Sequence, residues 1–198
     1  MIPDFPVIYL TGAPASGKTS VAARLGEMIP SLHIFSYGAE LTRYLQRQGR
    51  DLPSQEVLRE RSGGIATEED IDALDAELIA LVARERSHRP ILVDSHAVTK
   101  ESYGFRVTPF PMDRFKALLP TRIVVLYASP EVTQKRIRNN PGGRPMVTTF
   151  ESGIHTGLQA SVAIIYAIGA GIPIHFLDSA QSLEVLSAWI GDRISPQS

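Results

Sequence analysis

Gly12-Ala13-Pro14-Ala15-Ser16-Gly17-Lys18-Thr19 is a G-x-x-x-x-G-K-[ST] string, the P-loop or Walker A pattern. On its N-terminal side, Val7-Ile8-Tyr9-Leu10 is apolar and partly β-branched, and reads as a short buried strand. On its C-terminal side, Ser20-Val21-Ala22-Ala23-Arg24-Leu25 has apolar residues at helical spacing. The string therefore stands between a strand and a helix, the context its chemistry requires. Gly12 and Gly17 let the backbone curl and approach a ligand closely. A loop so curled turns its N–H groups inward as an anion nest, and the helix behind it adds unpaired N–H groups and a positive dipole end. Lys18 is expected to reach the β- and γ-phosphates of ATP, and the Thr19 hydroxyl to bind Mg²⁺, with Ser20 beside it. The alternative is a glycine-rich turn that binds nothing; the complete pattern in this context argues against it.

The remaining composition narrows the setting. The chain has 198 residues, 43% of them hydrophobic, enough for one domain with a substantial core. Its net charge of −1 advertises no broad basic surface, so neither nucleic acid nor an anionic membrane is the expected partner. It has no cysteine, which excludes disulfides and thiolate metal sites. Met1-Ile2-Pro3-Asp4-Phe5-Pro6 lacks the basic start and apolar core of a signal peptide. No apolar run approaches the length of a membrane span, about 20 residues. A cytoplasmic protein is expected.

Beyond the first helix, ended by Pro30, strands and helices alternate. Leu32-His33-Ile34-Phe35 reads as a second strand, with Ser36-Tyr37-Gly38 directly after it and a helix over Ala39–Gln48. A charged stretch with Pro53 and Gly63-Gly64 follows, with a short helix expected at 54–61. Thr67 caps the next helix, which has three acids in its first turn and an apolar stripe at Ile71, Leu74, Leu78, Leu81 and Val82. Pro90-Ile91-Leu92-Val93-Asp94 is a strand ending in an acid. Asp94 then falls at the strand's C-terminal end, where open α/β sheets bind ligands, and is expected to hold Mg²⁺ through water. The alternative is an Asp that only caps a turn.

Ser95 to Phe110 reads as a long polar loop carrying His96, Lys100 and Arg106, and loops of this length at a ligand edge are usually functional. After a short helix at 111–119, Arg122-Ile123-Val124-Val125-Leu126-Tyr127 is a fourth strand, its continuous apolar run suited to a parallel strand covered on both faces. Ser129-Pro130-Glu131 starts a helix carrying Lys135, Arg136 and Arg138. Turn-rich residues 139–145, with Arg144, read either as a solvated basic helix end or, beside a P-loop, as a mobile loop of cationic groups for a phosphoryl-transfer site. A long helix over 148–168 carries His155 and Gln159 on one face, either as ligand contacts or, by the preferred reading, as ordinary surface residues. A fifth strand at 172–177 starts with Pro173, as edge strands do, and an amphipathic helix carrying Trp189, read as a core residue, closes the chain. This alternation means a three-layer α/β fold with a five-stranded parallel sheet of order 2-3-1-4-5 and helices on both faces.

At this point the chain resembles the archaeal-type adenylate kinases, within the nucleoside monophosphate kinases. The resemblance runs nearly the whole length. Ser36-Tyr37-Gly38 is similar to the family's Tyr-Gly entrance to the monophosphate-binding helices. Val93-Asp94-Ser95-His96-Ala97-Val98 is close to its Asp-Thr-His-Ala-Val. Lys100, Gly104-Phe105, Arg136 and Arg144 fall where the family has a basic residue, a Gly-aromatic pair and lid arginines. Ala39 stands where the family commonly has an acid, and Lys100 where relatives have Arg. The resemblance implies a single P-loop kinase domain over residues 1–198, with a monophosphate-binding insertion at about 37–66 and a lid at about 139–147. It implies transfer from ATP·Mg²⁺ to a nucleoside monophosphate, most readily AMP. Gly12 to Ser20 would hold ATP; Ser36, Tyr37, Gly38, His96 and Lys100 would line the acceptor site. Lys18, Asp94, Arg136 and Arg144 would serve transfer, and Thr19 with Asp94 the metal. Small nucleotides are then the partners, and a homo-oligomer is open because the archaeal relatives associate. Two alternatives stand beside this reading. One is a kinase for a metabolite hydroxyl, with Asp94 or His96 as base. The other is a slow ATPase acting as an assembly switch.

Overall fold

The computed structural model describes residues 5–52, 54, 56–57, 65–142 and 144–194. The strand before the loop, β1 (Val7–Thr11), is buried along its whole length and lies at the centre of the sheet. It pairs in parallel with β3 (Ile91–Asp94) on one side and β6 (Arg122–Tyr127) on the other. The outer positions go to β2 (His33–Ser36) beside β3 and β7 (Ile174–Asp178) beside β6, again in parallel. The order β2-β3-β1-β6-β7 is the expected 2-3-1-4-5 once the separate hairpin of β4 (Val98–Glu101) and β5 (Gly104–Val107) is left out of the count. β7, entered through Pro173, is an edge strand as its proline suggested.

Side chains alternate across the sheet and build two cores. Val7 and Tyr9 face one side, packed with Phe35, Val93, Phe115 and Tyr166. Ile8 and Leu10 face the other, packed with Val21, Leu25, Leu92, Val124 and Ile190. The first core is covered by α2 (Tyr37–Arg47), α3 (Glu68–Glu85), α4 (Met112–Ala117) and α6 (Thr149–Ala170). The second is covered by α1 (Lys18–Met28) and α7 (Leu183–Ile194). Trp189 packs at this second face, with its ring edge on His175 at 4.9 Å and the Arg193 guanidinium 3.6 Å above it. Helix α5 (Pro130–Asn139) starts at the expected Ser129 cap, whose Oγ accepts from Val132 N at 3.3 Å.

Three expectations are corrected. Residues 98–107 are not loop: Val98 pairs with Val107 and Lys100 with Phe105 in an antiparallel ribbon turned at Ser102-Tyr103. The ribbon was masked by its charged faces and by a turn lacking the usual Asn-Gly signal. His155 and Gln159 are not surface residues; they are 4% and 1% exposed, because the ribbon packs over them. Finally, α6 has 22 residues and is apolar enough to cross a membrane by length and composition. Here its Ala163, Tyr166 and Ala167 instead pack into the first core. The short helix expected at 54–61 falls mostly outside the described residues, as does Gly143 of the lid segment.

Candidate functional site

The C-terminal ends of the central strands are level with one another, since Asp94 registers with Leu10 of β1 and with Ser36 of β2. Above them opens a cleft of about 1190 Å³, which brings together Gly17, Lys18, Thr19, Ser20, Ser36, Tyr37, Gly38, Asp94, His96, Lys100, Arg136 and Arg144. Every site residue expected from the sequence lines this cleft except Gly12, which turns the chain beneath it.

On one side the loop is built for an anion. Gly12 and Gly17 have φ of 151° and 92°, and Ala15 has φ of 61°. A Cβ on Gly12 would lie 2.7 Å from Ser16 Oγ and closer still to the Leu126 carbonyl oxygen, so only glycine fits there. Ser16 N donates to Ala13 O at 3.2 Å, closing the curl. The buried Ser16 Oγ has no hydrogen-bond partner among the described residues. Helix α1 starts at Gly17 with no side-chain cap and no acid in its first turn. By contrast, α3 and α6 start with capping boxes, Thr67–Asp70 and Thr148–Glu151. A helix start left open in this way suits phosphate oxygens. Lys18 Nζ folds over the loop and donates to Gly12 O at 2.7 Å. The exposed Thr19 hydroxyl and the buried Asp94 carboxylate offer two hard oxygens at the cleft floor. These fit Mg²⁺, which usually completes its shell with water and substrate phosphate; Ser36 Oγ donates to Asp94 Oδ2 at 3.5 Å.

Arg136 is held against the loop from α5. Its Nη1 donates to Ala15 O at 3.1 Å and to Ser179 Oγ at 2.9 Å, and its Nη2 donates to Ser179 O at 2.6 Å. A guanidinium so fixed sits where phosphate charge would gather. Arg144 also lines the cleft and donates to Pro141 O at 3.3 Å.

On the other side, Ser36-Tyr37-Gly38 start α2, again without a side-chain cap. The Tyr37 hydroxyl, however, is committed: it donates to Asp75 Oδ1 at 2.7 Å. Asp75, on α3, is 2% exposed and also meets Arg114 at 3.5 Å. Burial is the main cause raising the Asp75 carboxyl above its ordinary range, opposed by the Tyr37 and Arg114 hydrogen bonds. Burial, then the Asp75 charge, raises the Tyr37 phenol. Asp75 went unnoticed in the sequence, yet it left a signal: an acid between Ile71, Leu74 and Leu78 inside an apolar helical stripe. Lys100 on β4 pairs with Glu151 at 3.3 Å and lies 5.5 Å from the Phe105 ring centroid. Hydrogen bonds from the Thr148 backbone and side chain, then Lys100, lower the Glu151 carboxyl. Exposed His96 lines the cleft beside Asp94.

His155 and Gln159 close this side from α6. His155 Nε2 meets Val98 O at 3.0 Å and its ring stands edge-on to Phe105 at 5.0 Å. Burial lowers its proton affinity, as do Lys18 and Lys100, against the Val98 hydrogen bond. Because the Val98 carbonyl can only accept, Nε2 is the donor in this bond.

A curled loop at the end of a central parallel strand, an open helix start and an acid on the neighbouring strand define a nucleoside-triphosphate-binding protein of the P-loop kinase fold. A protein-family profile described as an AAA domain matches residues 11–151, and the chain belongs to that family. No curated protein matches it. Among solved structures, the chain is similar to a sugar kinase from Janibacter sp. HTCC2649 in its unliganded form, at 17% identity and a TM-score of 0.54, covering 97% of this chain and 96% of that one. It is similar also to a gluconokinase from Sinorhizobium meliloti 1021, at 19% identity and a TM-score of 0.54, covering 97% and 93%.

Proposed function

We propose that this chain is a nucleoside monophosphate kinase of the adenylate kinase type, transferring the γ-phosphoryl group of ATP to AMP. The observation that carries this reading is the single cleft with two cationic ends. Lys18, Arg136 and Arg144 stand at the donor side, Lys100 and Arg106 at the ribbon side. Its volume of about 1190 Å³ exceeds that of most one-ligand sites, roughly 300–1,000 Å³, and suits two phosphorylated substrates side by side. No protein nucleophile is required, because an acceptor phosphate oxygen attacks in line, so the work is positioning and charge stabilisation. Lys18 and Arg136 supply fixed positive charge where the transferring group becomes more anionic. Thr19 and Asp94 would hold Mg²⁺, which neutralises phosphate charge when bound. Closure of residues 139–147 would exclude water and limit hydrolysis.

A second reading has its own support: the sugar kinase and the gluconokinase share this fold over nearly their whole length. In that case the acceptor is a hydroxyl, and Asp94, beside Ser36 at the cleft floor, is the base that takes its proton. A coupled ADP-formation assay with ATP·Mg²⁺ decides between them. Monophosphates are expected to raise turnover above the ATP-only background. Turnover raised only by gluconate or sugars would support the hydroxyl reading, and a background that no acceptor raises would support a slow ATPase.

A further inference from the structure

One side chain joins the two halves of the cleft. Gln159 sits mid-way along α6 at 1% exposure, and its carboxamide is used at both ends. Its Nε2 donates to Thr11 Oγ1 at 2.9 Å. Its Oε1 accepts from Ala97 N at 3.2 Å and from Val98 N at 3.1 Å. Thr11, fully buried, is the last residue of β1 and precedes Gly12 of the phosphate loop. Ala97 and Val98 are the root of the ribbon whose first strand carries Lys100. One turn earlier on α6, His155 holds the Val98 carbonyl, so both polar backbone groups of Val98 are fixed by the same helix. The partners come from residues 11, 97–98 and 155–159, far apart in the chain and drawn to one point by a single helix.

We propose that Gln159 is a positioning residue that sets the spacing between the phosphate loop and the acceptor-side ribbon. A buried amide bonded at both ends is a short rigid strut, because the low dielectric around it makes any unmade bond costly. Moving the ribbon root relative to Thr11 leaves one of three hydrogen bonds unmade inside the core. The strut touches no expected substrate position; it acts through Gly12 on the donor and through the ribbon on the acceptor. In-line transfer depends on that distance, since a misplacement of about 1 Å can lower the rate on the order of 100-fold without loss of either binding site. This assignment rests on the two-substrate kinase reading.

The test uses Thr11→Val, which keeps shape and strand propensity but removes the hydroxyl, with Thr11→Ser as its rescue and Gln159→Leu as the larger lesion. For Thr11→Val the expected result is kcat about tenfold lower with both KM values within about twofold of wild type, the pattern of an interaction felt in the transition state. Thr11→Ser restores most of the rate. Unchanged kcat in Thr11→Val, with only a lower Tm, would make Gln159 a packing residue and overturn the proposal. A second readout does not need an acceptor: hydrogen–deuterium exchange of a peptide containing Ala97 and Val98, with and without ADP·Mg²⁺. Nucleotide at the loop is expected to slow exchange at the ribbon root in wild type and Thr11→Ser, but not in Thr11→Val. Equal slowing in Thr11→Val overturns the strut. A wild type that phosphorylates no acceptor, yet shows the exchange difference, would overturn the kinase reading and leave the strut standing.

Discussion

The two sides of the cleft are built by different means. The core of the donor side comes from contiguous chain: Gly12 to Ser20 curl, turn into α1 and carry their own lysine and threonine, and only Asp94, Arg136 and Arg144 are brought to them from elsewhere. The acceptor side is assembled from α2, the ribbon, α3 and α6, whose contributing residues lie between Ser36 and Gln159. Local construction makes a site that tolerates little change at single positions, since Gly12 has the Leu126 carbonyl directly behind it. Distributed construction makes a site held by cross-links: Tyr37 to Asp75, Lys100 to Glu151, and Gln159 to Thr11. The first kind of site fixes chemistry; the second can change its ligand by changing one support.

The sharpest way to break this contrast is Lys18→Ala. Loss of a charge-stabilising group is expected to cut phosphoryl transfer by at least about 100-fold, with the fold unchanged by circular dichroism; near-normal transfer would remove Lys18 from the chemistry. Next is Arg136→Ala. Because three hydrogen bonds to Ala15 and Ser179 hold the Arg136 guanidinium against the loop, kcat is expected to fall roughly tenfold or more while the KM for ATP changes less. Equal changes in both would make it a ground-state phosphate ligand.

At Tyr37 the acceptor side should respond in stability before rate. Tyr37→Phe leaves the buried Asp75 short of a donor, and about 1–3 kcal/mol of folding stability should be lost in urea denaturation. A rise in acceptor KM with stability intact would instead return the Tyr37 hydroxyl to substrate binding. The smallest expected effect is the pH response of His155. Its proton affinity in the fold lies below the ordinary imidazole value of about 6.5. Below that pH the unfolded chain takes up the proton first, so stability falls as pH drops, and above it the contribution is flat. His155→Gln keeps a donor for Val98 O and should flatten part of the slope between pH 7.5 and 5.5. The remainder belongs in part to His33 and His175, whose proton affinities burial also lowers.

Legibility in the sequence followed the same division. The loop, the caps at Thr67 and Ser129 and the acid at Asp94 are signalled by neighbours within a few residues, and the sheet order follows from strands and helices alternating around the loop. The ribbon carries no strand signal in the sequence because Lys100, Glu101 and Arg106 obscure its alternation. Gln159 was unreadable because its partners lie 61, 62 and 148 residues away. Asp75 alone was hidden in plain view, an acid on the apolar side of α3.

The central claim is that the cleft passes a phosphoryl group from one nucleotide to another. Phosphorus NMR of the protein with ATP·Mg²⁺ and AMP follows that group directly. The account predicts that ATP and AMP resonances decline together as ADP grows, two ADP formed for each ATP consumed. Release of inorganic phosphate with AMP untouched would contradict it.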